Sequence, residues 1–260
     1  MSSASNESLY REVARKLRNK IKDGVYPLGS KLPTEVELAE ELGVNRVTVN
    51  RALATLRAEG WTRTHRGVGT FVRDFMPITR ETPRRFSRAR REQGGARGAF
   101  AGELAEQDLS YETRTVVERV RPPQHVAEVL GVSAEEISVV MRARYMSVKA
   151  PAGRTVPYQI AITYVPLEIA EGTAIEEEDT GIGGLSSRLA DLDQAQAELD
   201  DTIEVRPPEP EEEFLGLNED QRVFDIFHIG ETRDGRPVKV TTFVIPTHLS
   251  KLRYRVQVTD

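Results

Sequence analysis

Residues 24–72 read GVYPLGSKLPTEVELAEELGVNRVTVNRALATLRAEGWTRTHRGVGTFV, and this stretch decides the fold of the N-terminal part of the chain. Thr34 and Glu37 have the spacing of a capping box, in which each side chain accepts a hydrogen bond from the other residue's backbone amide. Apolar residues then recur at helical spacing, at Leu38, Ala39 and Leu42. Gly43 follows where a left-handed residue commonly ends a helix. The pattern predicts a short amphipathic helix.

A second helix is predicted directly after Gly43, with Asn45 as its N-cap. Its apolar stripe consists of Val49, Ala52, Leu53 and Leu56. Four residues of its first turns lie mostly away from that stripe, namely Arg46, Val47, Asn50 and Arg51. Two short helices joined by a glycine-containing turn form a helix-turn-helix, whose second helix enters the major groove of DNA.

A β-hairpin is predicted after the second helix. Two β-prone runs, residues 61–64 and 70–73, flank a loop with glycines at 67 and 69. Glycines at a hairpin tip let the backbone approach a phosphate or the floor of the minor groove, and Arg66 adds charge beside them. The loop also fits an ordinary hairpin, but its place after a helix-turn-helix favours a DNA-contacting wing.

Several separate motifs of this region occur in a familiar order: G-x-Y-x-x-G-x-x-L-P-T-E, ELAEELGVNRVTVNRAL, EGW and GVGTFV. Together they resemble the DNA-binding domain of the GntR family of bacterial transcription regulators, over about the first seventy-five residues. The resemblance implies a homodimer bound to a palindromic double-stranded DNA operator. The positions of residues within these motifs also imply which of them bind DNA. Val47 is one of them, because it lies beside Arg46 in the first turn of the second helix. The resemblance places Arg46, Thr48 and Asn50 near bases. It places Lys31, Thr34 and Arg51 near phosphates. It also places Arg66, Gly67 and Gly69 in the wing.

The composition excludes several other classes of protein. The 260 residues are enough for two domains, and the lack of cysteine excludes disulfides, thiolate zinc sites and cysteine nucleophiles. The chain has neither an apolar signal segment at its start nor an apolar run of transmembrane length. Its four histidines show no metal-binding spacing. We therefore expect a soluble cytoplasmic protein without a membrane partner, catalytic residues, cofactor or metal.

The net charge of −5 is unevenly distributed. Residues 1–98 hold 20 Lys and Arg against 11 Asp and Glu, whereas residues 99–260 hold 16 against 30. Affinity for DNA follows the local field rather than the total charge of the chain. The asymmetry predicts a basic DNA-binding end and an acidic body.

Three regions are expected along the chain. We expect residues 1–75 to form the winged helix-turn-helix domain and residues 99–260 to form a second domain. Residues 76–98 between them are rich in Pro, Gly and Arg and read as a basic linker. The same segment could instead be a hinge or supply the first strand of the next domain.

β-strand signals dominate the C-terminal region, with short helices between them. Predicted strands cover about residues 113–120, 137–148, 155–165, 196–205, 223–232, 238–245 and 252–258. The turn at residues 233–236 indicates a hairpin, so the fold class is α+β with a mostly antiparallel sheet. Short motifs (LGV at 130–132, RAR at 142–144, YVP at 164–166, EVRP at 204–207 and DGRPVKV at 234–240) resemble the UTRA domain of the HutC subfamily. That resemblance implies a chorismate-lyase-like fold, dimerisation through this domain and a small-molecule pocket beside the sheet.

The candidate effector-binding residues are Arg142, Arg144, Tyr164, Glu204 and Arg206. Arg142 and Arg144 stand two apart on a predicted strand, so both point to one face of the sheet. Paired guanidinium groups among apolar neighbours suit a carboxylate or phosphate, which predicts a small anionic effector. Glu204 and Arg206 repeat the spacing, and Tyr164 offers a hydroxyl. A solvated sheet face with cross-strand Arg–Glu pairs gives the same pattern.

These observations predict a sequence-specific transcription regulator. Since repressors are the default for the family it resembles, we expect a repressor that a small anion releases from its operator. Two alternatives stay open. One is a ligand-independent repressor of plasmid transfer or replication. The other is a lyase-like enzyme, against which stands the lack of any recognisable nucleophile–base pair or metal cluster.

Overall fold

The computed structural model describes residues 2–65, 67–82, 84–150 and 153–256, with side chains from residue 9 onward. The chain divides into two compact units, Met1–Met76 with Ala150–Arg154 and Pro77–Lys149 with Thr155–Asp260. Each unit is described by itself. No helix in the described ranges has the length and apolar character needed to cross a membrane.

The first unit is a winged helix-turn-helix, as predicted. Its elements are α1 (Ser2–Lys22), α2 (Glu35–Leu42), α3 (Arg46–Ala58) and the antiparallel hairpin of β1 (Thr62–His65) and β2 (Gly69–Val72). The apolar stripe of α1 packs with the stripes of α2 and α3. The buried core includes Val13, Leu17, Ile21, Leu38, Val49 and Leu56. Burial of these stripes holds three helices together that would be marginal alone.

Side-chain caps set the ends of α2 and α3. The Thr34 amide donates to Glu37 Oε2 over 2.7 Å, and the Glu37 amide donates back to Thr34 Oγ1 over 3.3 Å. Gly43 closes α2 in the left-handed conformation, with φ of 65°. Asn45 Oδ1 then accepts from the Thr48 amide over 2.8 Å and starts α3. The turn between the helices is therefore specified locally.

The second unit is built around a six-stranded antiparallel sheet within the described residues, which confirms the α+β class. Its strands are β4 (Ser110–Val120), β5 (Val139–Lys149), β6 (Thr155–Pro166), β7 (Glu198–Arg206), β8 (Val223–Glu231) and β9 (Pro237–Pro246). They follow the order β4-β5-β6-β9-β8-β7. A separate parallel pair joins β3 (Ile78–Thr82) to β10 (Ser250–Tyr254).

Short helices cover both faces of the sheet. They are α4 (Arg88–Arg91), α5 (Ala99–Ala105), α6 (Gln124–Leu130), α7 (Leu167–Ala170) and α8 (Gly184–Asp191). Leucines of α8 pack on Val140 and Val165, whereas residues of α6 pack on the opposite face against Val139 and Val240. We call the α8 side the inner face and the α6 side the outer face. Strand periodicity assigns strand residues to one of these faces, except near the register shifts beside Met146 and Gly230.

The segment expected to be a basic linker belongs, from Pro77 onward, to the second unit. It forms β3, α4 and short turns, and Arg80 and Arg85 are each only 2% exposed. Arg91 is also buried and donates from Nε to Ser187 Oγ of α8 over 2.8 Å. Arg80, Arg85, Arg90 and Arg91 of this segment are therefore interior residues, whereas Arg84, Arg88 and Arg97 are exposed. Composition suggested exposed charge, but the long apolar stem of an arginine also packs well in an interior.

Candidate DNA-binding surface and effector cavity

The N-terminal turns of α3 present a mixed polar and apolar surface. The Arg46 side chain is 70% exposed, and Val47 is 62% exposed beside it. Asn50 and Arg51 are exposed one turn further along. These are the side chains that could reach base edges or phosphates if α3 entered a major groove. The structure thus brings together four of the residues expected from the sequence.

A carboxylate of α2 joins two of these side chains. Arg46 donates from Nε to Glu35 Oε2 over 2.8 Å, and Asn50 donates from Nδ2 to Glu35 Oε1 over 3.0 Å. These two hydrogen bonds lower the pKa of Glu35 below its usual value. Sequence reasoning missed Glu35, because periodicity describes one helix at a time and cannot show which residues of two helices meet across a turn.

Thr48 does not belong to the exposed surface, contrary to the sequence expectation that it lies near bases. Its side chain is 1% exposed. Its amide and its hydroxyl both donate to Asn45 Oδ1, the hydroxyl over 3.0 Å. Three residues after the N-cap, the side chain turns back towards the core and the cap. Thr48 therefore helps to start α3 and cannot contact a base in this conformation.

The residues expected near phosphates have local structural partners as well. Thr34 is exposed but forms the capping box of α2. Lys31 is exposed and pairs through its backbone with Phe71 of the hairpin. A Cβ added at Gly69, whose φ is 136°, would lie 2.6 Å from Lys31 Cε. Gly69 therefore leaves room for the Lys31 side chain beside the wing.

The tip of the wing is only partly described. Gly67 is exposed and has a left-handed φ of 76°, which suits a tight turn. The Val68 amide closes the turn on the His65 carbonyl over 3.0 Å. The expected DNA contact of Arg66 falls outside the described residues.

Polar side chains form one continuous row across the inner face of the sheet. Successive register partners in this row are Arg142, Thr163, Thr241, His228 and Asp201. Thr163 and Thr241 hydroxyls are 3.0 Å apart, and His228 Nδ1 lies 2.6 Å from Asp201 Oδ1. Such a row across five strands cannot be read from any one of them.

Arg142 and Arg144 share this inner face, as expected, but they have different surroundings. Arg142 is 2% exposed, and its guanidinium donates to the backbone carbonyls of Ile175, Glu177 and Glu178. It therefore anchors the 175–178 loop. Arg144 is partly exposed, and its Nε is buried without a hydrogen-bond partner among the described residues. Burial, with Arg142 and Arg85 nearby, lowers the pKa of Arg144 to about 10.

The other three expected effector residues are on the outer face, so the five do not form one site. Tyr164 pairs with Met141 and Val240, each adjacent in sequence to a residue of the polar row, so its side chain points to the opposite face. There it packs against the apolar residues that α6 covers. Glu204 and Arg206 lie an odd number of residues from Asp201 on the same strand, so they also point to the outer face. The spacing predicted pairs on each strand correctly, but the register between strands decides which pairs share a face.

The guanidinium of Arg206 already has protein partners on the outer face. Its guanidinium donates to Asp225 Oδ2 over 2.7 Å and to Glu212 Oε2 over 3.1 Å. These carboxylates raise its pKa, the bonds to Glu212 most strongly. The arrangement is a local ion-pair network on the outer face, in which the Arg206 and Glu212 side chains are only 20% and 8% exposed.

A cavity of about 720 Å³ opens beside Arg142 and Arg144 in the second unit. Its walls include Tyr111, Arg114 and Leu185, with the Arg97–Asp179 ion pair also contributing lining residues. A smaller, deeper cavity of about 40 Å³ shares Phe100, Arg144, Met146 and Leu185 with the large one. Volumes of several hundred Å³ are typical of small-molecule sites.

Several basic side chains surround the deeper cavity, and the sequence did not show that they lie together. Its lining includes Arg85, Arg144 and Lys239, of which Arg85 is 2% and Lys239 4% exposed. Arg85 Nη1 has no hydrogen-bond partner among the described residues. Burial chiefly, with Arg144 and Arg85 next, lowers the pKa of Lys239 to about 7. Glu103 offsets part of this charge, since its Oε1 lies 3.1 Å from Arg85 Nε.

The first turn of α8 lines the same deeper cavity through residues 183–186. Ser186 Oγ lies 3.5 Å from Lys239 Nζ. Gly183 has φ of 81°, and a Cβ there would meet Ser187 Oγ at 2.0 Å. The backbone amides of a helix N-terminus favour an anion, so this end of α8 adds to the effect of the lysine and arginines.

His228 lies beside the cavity lining rather than on it. Its ring is fully buried, stacked on Phe86 at 4.9 Å, and its Nε2 has no partner among the described atoms. Burial lowers the pKa of His228 to about 4, although the bond to Asp201 acts in the opposite direction. The histidine is therefore neutral near pH 7. Its imidazole links β7 to β8 and supports the wall formed by Phe86.

Comparison with known proteins agrees with this two-unit geometry. A profile of bacterial regulatory proteins of the gntR family matches residues 9–72, and a profile of the UTRA domain matches residues 106–249. The fold therefore defines a DNA-binding regulator with an effector-binding domain. The chain belongs to the GntR family and has the domain architecture of its HutC and PhnF-like members.

Relatives of similar length extend the match over nearly the whole chain. An uncharacterized HTH-type transcriptional regulator of Streptomyces coelicolor is 30% identical over 246 residues, covering 92% of this chain and 88% of the relative. One of Rhizobium meliloti is 30% identical over 257 residues, covering 95% and 94%. These relatives are named as transcriptional regulators, which favours a regulator over an enzyme.

Solved structures share the fold. A GntR-family transcriptional regulator superposes with a TM-score of 0.55 at 25% identity, covering 96% of this chain and 98% of that chain. PhnF from Mycobacterium smegmatis superposes with a TM-score of 0.59 at 21% identity, covering 96% and 100%. The second likeness concerns the fold alone.

Proposed function

We propose that this protein is a homodimeric repressor that binds a palindromic operator. It leaves the operator when a small anion occupies the deeper cavity and the large cavity next to it. Residues 1–76 bind DNA, with Arg46, Val47 and Asn50 at base edges. Lys31, Arg51 and the wing contact phosphates. Arg144, Lys239 and Arg85 hold the effector, and Arg142 positions the loop beside it.

The observation that carries the anionic effector is the set of buried cations around the deeper cavity. Keeping a positive charge in a protein interior is costly unless an opposite charge or several hydrogen bonds compensate it. Arg85 and Arg144 each have buried N–H groups without partners among the described residues. A phosphate or carboxylate would supply both the charge and the missing acceptors.

The position of Arg85 supports a link between the effector and DNA binding. Arg85 and Phe86 line the deeper cavity, and they stand on the segment that follows the wing in sequence. Arg80 of the same segment stacks over Phe243 at 4.0 Å, and Phe243 also lines this cavity. An anion bound to Arg85 would therefore act on the segment that leads to the DNA-binding unit. Changed spacing of the recognition helices would then lower operator affinity.

The test begins by selecting bound sites from randomised duplex DNA with the full-length protein at fixed salt. A palindromic consensus is expected. Inorganic phosphate, carboxylates and sugar phosphates are then screened for thermal stabilisation and for release of that duplex. Arg144→Gln should abolish the response, whereas Arg233→Gln, which removes an exposed arginine of the β8–β9 turn, should retain it.

The other outcomes separate the remaining functions. A palindrome without any response to anions would favour the ligand-independent repressor of plasmid transfer or replication. Salt-sensitive binding without a consensus would refute sequence-specific repression. Chemical turnover of a screened anion would refute a purely regulatory role. Light scattering of the protein with its duplex would test the homodimer.

A further inference from the structure

The Glu35 carboxylate is the one acidic group found bonded to the expected base-reading side chains in the described part of the first unit. It accepts from Arg46 over 2.8 Å and from Asn50 over 3.0 Å, one bond on each oxygen. Glu35 is the first residue of α2, and its side chain is 30% exposed. The contact therefore connects the start of one helix to the exposed turns of the next.

A negative charge on a DNA-facing surface is unfavourable for binding unless it has a specific task. Phosphates repel it, and this repulsion acts on every DNA sequence alike. The cap of α2 does not require the Glu35 side chain, because Thr34 and Glu37 form the capping box. What the Glu35 side chain contributes is a fixed position for two flexible side chains.

We propose that Glu35 is a positioning residue for DNA recognition, which holds Arg46 and Asn50 in a shared orientation so that they read adjacent bases as one unit. The proposal rests on the proposed base contacts of Arg46 and Asn50. Arginine and asparagine each make paired hydrogen bonds to the edge of one base, and this geometry depends on the plane of the side chain. Holding both planes before binding removes much of the ordering cost at the interface.

The inference predicts opposite effects on specific and nonspecific DNA. Glu35→Gln keeps the size of the side chain but removes the charge and replaces one acceptor with an amide. We expect operator affinity to fall about tenfold, the size of typical couplings between groups in contact. Affinity for a scrambled duplex should be unchanged or higher, because a repulsive charge is gone. A merely structural role of Glu35 would lower both affinities together.

A double-mutant cycle tests the proposal, with the wild-type-selected duplex as probe and fluorescence anisotropy as readout. Glu35→Gln, Arg46→Ala and the double variant are compared with Glu40→Gln, which changes the same charge at an exposed position of α2. If Glu35 acts through Arg46, Glu35→Gln costs much less in the Arg46→Ala background. Thermal unfolding of each variant shows whether the first unit has stayed folded.

The possible failures are distinguishable. If Arg46→Ala leaves operator affinity unchanged, the proposed base contact is wrong, and the positioning role is refuted with it. If Arg46→Ala weakens binding but Glu35→Gln does not, only the positioning role is refuted. Equal losses from Glu35→Gln in both backgrounds, or equal losses on operator and scrambled DNA, would also refute it. Glu35→Gln must lower the ratio of the two affinities, whereas Glu40→Gln must leave it unchanged.

Discussion

Replacement of Lys239 by methionine should make the ligand-free protein more stable while it weakens anion binding. Lys239 is 4% exposed, and burial with three nearby arginines lowers its pKa from 10.5 to about 7. At about 1.4 kcal/mol for each pKa unit, this difference corresponds to at most about 5 kcal/mol of lost stability. Methionine fills a similar volume without charge. Allowing for relaxation around the ammonium, we expect a gain of about 2–4 kcal/mol at pH 7.

The sign of the pH dependence provides a sharper test. As pH falls from 10.5 to 7, the unfolded chain binds a proton at Lys239 that the folded chain does not, so the wild type loses stability over this window. Below pH 7 both states are protonated, and the loss levels off. The advantage of Lys239→Met should therefore be largest at pH 7 and below, and should shrink as pH rises towards 10.

Thermal unfolding across this pH range measures the effect. A gain of 2–4 kcal/mol corresponds to a rise in Tm of roughly 4–16 °C for a domain of this size. Lys251→Met, which removes an exposed lysine of β10, is the matched control and should leave Tm nearly unchanged. Anion-induced stabilisation should be lost in Lys239→Met only. A destabilised Lys239→Met variant, or one that keeps full anion binding, would refute the assignment of Lys239 to a buried anion site.

Three further outcomes are expected. Arg46→Ala should weaken operator binding by about 1–3 kcal/mol if Arg46 contacts a base, and unchanged anisotropy titrations would remove it from the interface. Thr48→Val should cost about 1 kcal/mol of stability through its lost bond to Asn45, with the selected DNA consensus unaltered; an altered consensus would contradict its buried role. Gly69→Ala should destabilise the wing by about 1–3 kcal/mol, because φ of 136° strains alanine and its Cβ meets Lys31. Lys31→Ala should recover part of that loss of Tm, and equal Tm values for wild type and Gly69→Ala would show that the hairpin adjusts freely.

Local patterns predicted the elements of both units well. The capping box at Thr34, the glycine at 43 and the N-cap at Asn45 specify the helix-turn-helix within a few residues. Most strands of the second unit were also expected close to their observed bounds, since β-prone runs ended at glycines and prolines. In contrast, α4 was missed, and β3 was considered only as an alternative to a linker. Their segment has the composition of a linker, and four of its arginines are buried because the rest of the second unit supplies their surroundings.

The candidate sites depended on contacts that no local pattern contains. Sequence reasoning found Arg46 and Asn50 but not Glu35, which reaches them from another helix. It found Arg144 but not Lys239, which comes from a strand almost one hundred residues away. It also grouped Tyr164, Glu204 and Arg206 with the inner-face arginines, because a spacing of two assigns residues of one strand to a common face but cannot say which face.

By itself, therefore, the sequence predicted the two-unit plan, the helix caps and the positions of most strands along the chain, which follow from short-range periodicity and turn chemistry. It indicated the class of regulator through its resemblance to a known family. Only the tertiary structure decided which strand faces meet α8, and hence which cations are enclosed together. Strand register and burial arise from contacts between distant parts of the chain. A lysine becomes costly to keep charged only when the folded chain buries it. A carboxylate can position other side chains only when the fold brings them within hydrogen-bonding distance.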